Sequence, residues 1–405
     1  MSIKNNLKKV MTGTAISQII ALLSIPVITR IYSPEELGFY AVGLSLVSII
    51  GMVSSLRLER PLFQLYGTNQ YDQRIGSIVL VSFFVSLIMT GVIHTFIRLG
   101  VIKFNVDYIP LIFAWGFFCS LIQVFTVACS SSGFFSEVSK SAIIRSVLFF
   151  GCQVSFVYFF ENNLSLILSA LLSSVFCFVT LKCNVQFDIS MARFFIFIKN
   201  KRNRLDAVNG LFQSLFSSVN NNISLLVISQ LWGIQVAGLF MLSEKLIRVP
   251  INLISNNLRP VSAKHFQEEE NRNLKSVINI SIYTLSVSII IVILVFLLSD
   301  YIIANFLSSE WRDTSNMIKI MSFWIIANFI ALPFQSFNLH YLNMKYTTWS
   351  ELLALFFKIF LLYLGFVFDV GYEAICVIVV LSSFFYALTS ITITTLHFRR
   401  GFFSD

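Results

Sequence analysis

The sequence predicts an all-α, polytopic integral membrane protein with about twelve transmembrane helices. Three observations carry that expectation. Hydrophobic residues make up 56% of the 405 and charged residues only 12%, with a mean hydropathy of +0.80; an ordinary soluble domain is about 25% charged. Apolar runs of about 20 residues, the length that spans a bilayer as a helix, recur along the whole chain. The basic residues between them alternate strongly from one side to the other. Such a composition excludes a soluble enzyme, a disordered chain and a secreted disulfide scaffold. Helix-length runs rather than alternating segments of about 10 residues also exclude an outer-membrane barrel.

Taken in order, the chain opens with Lys4, Lys8 and Lys9 ahead of the first run, 10–30. The pattern is that of a signal peptide's basic and apolar regions, but the run is too long and has no A-x-A-like site, so it reads as a retained first helix with its basic end in the cytoplasm. The remaining runs are 37–57, 75–97, 108–130, 140–160, 163–183, 207–231, 235–257, 276–299, 315–340, 346–367 and 372–396. With the N-terminus inside, 21 of the 29 basic residues fall in cytoplasmic segments, 5 in outer segments, and Lys245, Arg248 and Lys358 within runs. That asymmetry places both termini in the cytoplasm.

The longest polar stretch lies midway. Arg193, Lys199, Lys201, Arg202 and Arg204 alternate there with Phe194, Phe195 and Phe197, the pattern of a basic amphipathic segment on an anionic leaflet. It divides the chain into an N-terminal six-helix bundle (1–185), a basic cytoplasmic linker (186–206) and a C-terminal six-helix bundle (207–405). The halves resemble each other weakly: Leu37-Gly38-Phe39-Tyr40 answers to Ala237-Gly238-Leu239-Phe240, and Leu58-Glu59-Arg60-Pro61 to Asn257-Leu258-Arg259-Pro260. A parallel repeat of six spans is a transporter architecture, with substrate bound between the halves in a central cavity.

The net charge of +9 is explained by this topology, and no dense basic patch with stacking aromatics marks a nucleic-acid partner. The six cysteines sit in or beside apolar runs without a C-x-x-C pair, as small buried residues do. The four histidines are scattered, without metal-ligand spacing.

Between the first two runs stands Pro26-Val27-Ile28-Thr29-Arg30-Ile31-Tyr32-Ser33-Pro34-Glu35-Glu36-Leu37-Gly38-Phe39-Tyr40. Physically it reads as a helix start: Ser33 as N-cap, Pro34 in the first turn, and Glu35 and Glu36 at the positive end of the dipole. The same segment, with Gly13-Thr14-Ala15-Ile16-Ser17-Gln18 before it and Leu56-Arg57-Leu58-Glu59 after it, resembles the N-terminal signature of Wzx-type flippases. These form the polysaccharide transporter branch of the multidrug/oligosaccharidyl-lipid/polysaccharide (MOP) exporter superfamily. The resemblance implies a flippase that moves an undecaprenyl-pyrophosphate-linked oligosaccharide from the inner to the outer leaflet of the bacterial cytoplasmic membrane by alternating access. The product would serve lipopolysaccharide (O-antigen) or related surface polysaccharide biosynthesis. Its partners would be the polyprenyl-pyrophosphate-linked oligosaccharide, membrane lipids and, by family analogy, a polysaccharide polymerase and a chain-length regulator. No bond is broken in such a cycle, so neither catalytic residues nor a metal or other cofactor is expected.

Charges within a span are costly and are functional candidates by default. Glu244, Lys245 and Arg248 lie in the eighth run, with Glu244 and Arg248 one turn apart; Glu351 and Lys358 lie on one side of the eleventh, and Arg145 in the fifth. Their sum is positive, which suits a multiply anionic ligand such as a lipid pyrophosphate. Arg145, Lys245, Arg248 and Lys358 are therefore candidate substrate contacts, and the resemblance adds Arg30 and Arg57 at helix ends. Glu244 and Glu351 could take a coupling ion, H⁺ or Na⁺, or be neutralised by their basic neighbours. Polar stripes, including Gln213, Ser217, Asn220 and Ser224 of the seventh run, should face one another or a wet cavity rather than lipid. Three alternatives remain: a cation-coupled multidrug exporter of the same superfamily, disfavoured because its interior should be acidic; a membrane polysaccharide polymerase, disfavoured by the short outer loops without histidine; and a lipid II flippase of peptidoglycan synthesis, alike in fold but disfavoured by the short chain and the Ser33-Pro34-Glu35-Glu36 signature.

Overall fold

A computed structural model describes residues 3–68, 70–183, 185–267, 273–341 and 344–399. They form fifteen α-helices with short 3₁₀ turns at Val106–Tyr108 and Ser309–Trp311, and no strand. The helices are α1 (Ile3–Leu23), α2 (Ile25–Ile31), α3 (Pro34–Ser54), α4 (Leu62–Leu65), α5 (Gln70–Arg98), α6 (Ile109–Ser131), α7 (Phe135–Phe156), α8 (Asn162–Lys182), α9 (Met191–Lys199), α10 (Lys201–Leu231), α11 (Ile234–Gln267), α12 (Leu274–Phe306), α13 (Thr314–Tyr341), α14 (Met344–Val367) and α15 (Tyr372–Arg399). Every predicted run falls on one of them, the first shared between α1 and α2.

Among the described residues, nine helical segments are long and apolar enough to cross a membrane. The sequence expectation was twelve. The three long helices outside that set are α7, α10 and α11, of 22, 31 and 34 residues. They have the length but too many polar side chains: α7 carries Glu137, Lys140 and Arg145, and α11 carries Glu244, Lys245 and Arg248.

The first break comes just before a proline. Helix α1 stops at Leu23, Ser24 turns its hydroxyl back to the Ala21 carbonyl, and Pro26 sits in the first turn of α2, where its missing N–H costs nothing. At the start of α3 the expected cap is present as a full capping box. The Ser33 hydroxyl accepts from the Glu36 amide, and a Glu36 carboxylate oxygen accepts from the Ser33 amide at 2.8 Å. The other Glu36 oxygen accepts from Asn162 at the start of α8. Beside it, the buried Tyr32 hydroxyl donates to the Gln153 carbonyl (2.7 Å) and shares a hydrogen bond with Ser165 (2.8 Å). One short motif thus caps its own helix and ties it to α7 and α8.

The chain divides into two compact units, Met1–Gln230 and Leu231–Asp405. In the first, α3 packs on α5 and α6, and α7 on α1 and α8. Hydroxyls bridge these helices, as between Ser86 of α5 and Ser54 of α3 (2.8 Å) and between Tyr71 and the Ala128 carbonyl (2.9 Å). In the second, α13 packs against α11, α12 and α15, and α14 lies on α15.

Helix α13 runs on through Pro333. Proline removes the N–H that would bond the carbonyl four residues earlier, and its ring crowds that turn. Here the deprived carbonyls find hydroxyls on α12. Thr284 donates to Phe329 O at 2.8 Å, and Ser281 donates to Ile330 O at 3.1 Å. Thr284→Val should therefore leave a buried carbonyl unsatisfied and cost about 1–3 kcal/mol in denaturant unfolding of the micelle-solubilised protein. In a Pro333→Ala background, where the helix recovers its own N–H, the same substitution should cost much less.

Candidate functional site

The first unit contains a cavity of about 380 Å³. Helices α1, α3, α6, α7 and α8 contribute its walls, and each brings a different chemistry. From α3 comes Tyr40, whose ring stacks on Trp115 of α6 and Phe149 of α7 with centroids 5.8 and 5.9 Å apart. Ser17, Ser141, Ser146 and Ser173 supply hydroxyls. The one charged side chain among the lining residues is Arg145 of α7. It is half-buried, and no carboxylate lies within ion-pair distance of it among the described residues. Its charge reaches the Tyr40 hydroxyl and the thiols of Cys119 and Cys177. Helix α6 carries no charged residue at all, so nothing from it compensates the guanidinium. A half-buried arginine on a cavity wall that holds no acid has capacity for an anion.

Arg57 lies outside this cavity, in the turn that follows α3. Leu56 and Arg57 both take left-handed backbone conformations, with φ of 50° and 56°, a strain of about 1–3 kcal/mol for each non-glycine residue. Helix α10 holds the turn from the side. Arg57 Nε donates to Ser214 Oγ at 3.3 Å, and the Leu56 carbonyl oxygen lies only 1.9 Å from where a Cβ on Gly210 would stand. Further along, Asn222 of α10 donates to Ser48 of α3 at 3.3 Å. Helix α10 thus meets α3 through Asn222 and the turn after α3 through Ser214, and Ser224 of the predicted polar stripe is buried. Arg30 is exposed in the last turn of α2 and is not brought to the cavity.

In the second unit Glu244 and Arg248 of α11 form the expected pair, with Nη2 at 2.7 Å and Nε at 3.0 Å from the same carboxylate oxygen. The guanidinium also lies over the Trp324 ring of α13, 5.0 Å from its centroid, a favourable cation–π position. Lys358 of α14, only 8% exposed, is close enough to feel the charges of both Glu244 and Arg248. Three of the predicted residues, one carboxylate and two cations, therefore lie near one another. Lys245 points elsewhere on α11, half-buried, with no ion pair among the described residues. Glu351 is half-buried near the start of α14, two turns before Lys358. The aromatic members of both sites, Tyr40, Trp115, Phe149 and Trp324, went unread in the sequence. Only Tyr40 carried a signal, as the last residue of the signature.

The sequence profile of the family described as polysaccharide biosynthesis protein matches residues 27–316. A search of curated proteins by sequence finds no match. Solved structures resemble the whole chain. The lipid II flippase MurJ in an inward closed conformation gives a TM-score of 0.75 at 13% identity, over 98% of this chain and 93% of that one. A multidrug resistance MATE family transporter of the MOP superfamily, outward-facing, gives 0.69 at 12% identity over 99% and 97%. A MOP superfamily transporter from Pyrococcus furiosus, described as having a binding pocket of reversed polarity, gives 0.67 at 12% over 98% and 96%. At such identities the likeness establishes the fold, that of MOP transporters, and with it a multi-pass membrane protein.

The Glu244–Arg248 pair is partly exposed, so its worth is limited by screening. A double-mutant cycle with Glu244→Gln and Arg248→Gln should give a coupling of about 1 kcal/mol. Glu244→Gln alone should cost more than Arg248→Gln, because it leaves Lys358 near Arg248 without the carboxylate.

Proposed function

Because the chain belongs to the polysaccharide biosynthesis protein family, we propose that it is a flippase for a lipid-linked oligosaccharide in the bacterial cytoplasmic membrane. The substrate would be an undecaprenyl-pyrophosphate-linked unit of O-antigen or a related surface polysaccharide. The observation that carries this reading is the acid-free cavity of the first unit, where Arg145 stands among hydroxyls and aromatic rings. An uncompensated guanidinium suits a phosphate-bearing ligand, and hydroxyls with stacked rings suit sugars. The second unit adds the Glu244, Arg248 and Lys358 cluster, again with cations in excess.

In this proposal α7, α10 and α11 make three further crossings, for twelve in two six-helix bundles with both termini cytoplasmic. Their polar residues would be tolerated in lipid surroundings because they face protein or water. The bundles would rock about a central cavity, passing the pyrophosphate between cations while the lipid tail stays in the bilayer. Glu244, held by Arg248, would serve as a counter-charge in the cycle, leaving the coupling ion, H⁺ or Na⁺, to be measured. A polymerase and a chain-length regulator would act on the product. The multidrug reading has the likeness to MATE transporters behind it, but a cavity whose one charge is an arginine would repel a cationic drug.

The test uses a strain lacking the gene. Lipid-linked oligosaccharides in its membranes, identified by mass spectrometry, should accumulate as complete single units while surface polysaccharide disappears. Unpolymerised units at the surface would indicate a polymerase instead. No change in either would send the protein to drug-efflux assays. Complementation with Arg145→Ala or Lys358→Ala should restore protein but not polysaccharide, and full surface polysaccharide in both would remove the cationic sites from the mechanism.

A further inference from the structure

A second cleft, of about 490 Å³, lies in the first unit where α5, α9 and α10 begin or end. That volume is within the range of ligand pockets, about 300–1,000 Å³. Its polar wall is rich in amides: Gln70 and Gln73 from α5, Asn200 between α9 and α10, and Asn203 from the first turn of α10. Arg74 and Asp206 bring one charge of each sign, so the cleft is electrically balanced, unlike the Arg145 cavity. The cation is also occupied. Arg74 lies over the Phe197 ring, 5.4 Å from its centroid, and donates to Asn203 Oδ1 at 3.4 Å. Asn203 in turn donates to the Phe197 carbonyl at 3.1 Å.

The wall formed by the linker is seated, not loose. The Asp188 amide donates to the Asp72 carbonyl at 3.3 Å, and the Asp188 carbonyl oxygen lies 1.9 Å from where a Cβ on Gly76 would stand. Helix α9 then buries Phe194, 8% exposed, in the core with Leu58, Leu62 and Ile75. Its opposite side leaves Phe195 and Ile196 at 60% and 69% exposed. An amphipathic helix with basic neighbours and bare aromatic and aliphatic side chains lies at a lipid–water boundary, on the side that the charge asymmetry assigns to the cytoplasm. The cleft therefore opens at the level where the polar head of a membrane-anchored molecule would travel.

We propose that this cleft docks the sugar part of the lipid-linked substrate at the cytoplasmic surface, before its pyrophosphate reaches the buried cations. Amides and a carboxylate pair well with adjacent hydroxyls, Pro61, Leu65 and Ile196 offer an apolar wall, and the balanced charge favours an uncharged polyhydroxylated group over a phosphate. This rests on the flippase reading, and the experiment separates the two.

Four probes are offered to the full-length protein in nanodiscs: the lipid-linked saccharide extracted from the gene-deleted strain, the glycan released from it by mild acid, undecaprenyl pyrophosphate, and glycerol 3-phosphate. Gln73→Ala and Asp206→Ala should each weaken binding of the released glycan by about tenfold, the effect of one good hydrogen bond to a charged or amide group. Both should leave undecaprenyl pyrophosphate binding unchanged. Should Gln73→Ala fail to fold, Gln70→Ala at the exposed end of α5 serves in its place. Equal glycan binding by wild type and variants overturns the proposal, as does a wild type that binds the intact lipid but not the released glycan; in both cases the flippase reading stands. Binding of glycerol 3-phosphate in place of the glycan would assign the cleft to a phospholipid headgroup and also overturn it. A wild type that binds none of the saccharide-linked or pyrophosphate probes would remove the flippase reading itself.

Discussion

Everything in this structure follows from one constraint: a backbone surrounded by hydrocarbon has no water to satisfy its amides and carbonyls, so each must find a partner within the protein. Helices meet that demand along their length, and the interesting places are where they cannot. At Ser24 the chain interrupts a helix just before a proline and returns a hydroxyl to the exposed carbonyl. At Ser33 the capping box absorbs amides that a helix start leaves bare. At Pro333 the missing donor is supplied by a neighbouring helix, with Thr284 and Ser281 aimed at the two carbonyls concerned. Serine and threonine are thus the joints of the fold, distributed where the regular ladder is broken or where helices cross.

The same constraint sorts the charges. Nine apolar segments hold few of them, and α7 and α11 hold most of those that lie deep. In the second unit Glu244 pairs with Arg248 and lies near Lys358, so that the desolvation of each is partly offset. In the first unit Arg145 is given aromatic rings and hydroxyls but no acid among the lining residues. The difference is chemical rather than topological: one arrangement is partly compensated by its own carboxylate, and the other is not.

Much of this was legible in the chain because hydropathy has a length and a period. All twelve runs landed on helices, and Ser33, Pro34 and Glu36 read as a helix start because capping is local. The Glu244–Arg248 pair was legible for the same reason, being one turn apart. Three features were not. The stacking of Tyr40 between Trp115 and Phe149 joins residues up to 109 positions apart, and an aromatic in an apolar run looks like any other. The partners of α10 were not readable from its polar stripe, since Ser214 and Asn222, which bond Arg57 and Ser48, lie outside it. The seating of the linker on α5 depends on Asp188 meeting Gly76, and nothing local in either residue announces the other.

Helix α7 also bears on how the protein is made. A segment leaving the ribosome enters the bilayer if its own side chains favour lipid, and an arginine near the centre opposes this by about 3 kcal/mol. Helix α7 carries Glu137, Lys140 and Arg145 within 22 residues, so it is a poor candidate for entering alone. Its neighbours α1 and α8 are apolar enough to span by themselves. One is synthesised before it and the other immediately after. If α7 is one of the twelve proposed crossings, the residue that gives the cavity its character would make biogenesis cooperative: α7 would wait at the insertion machinery until α8 emerges and a protein surface exists to receive it. Synthesis halted between the two should then leave α7 outside the membrane.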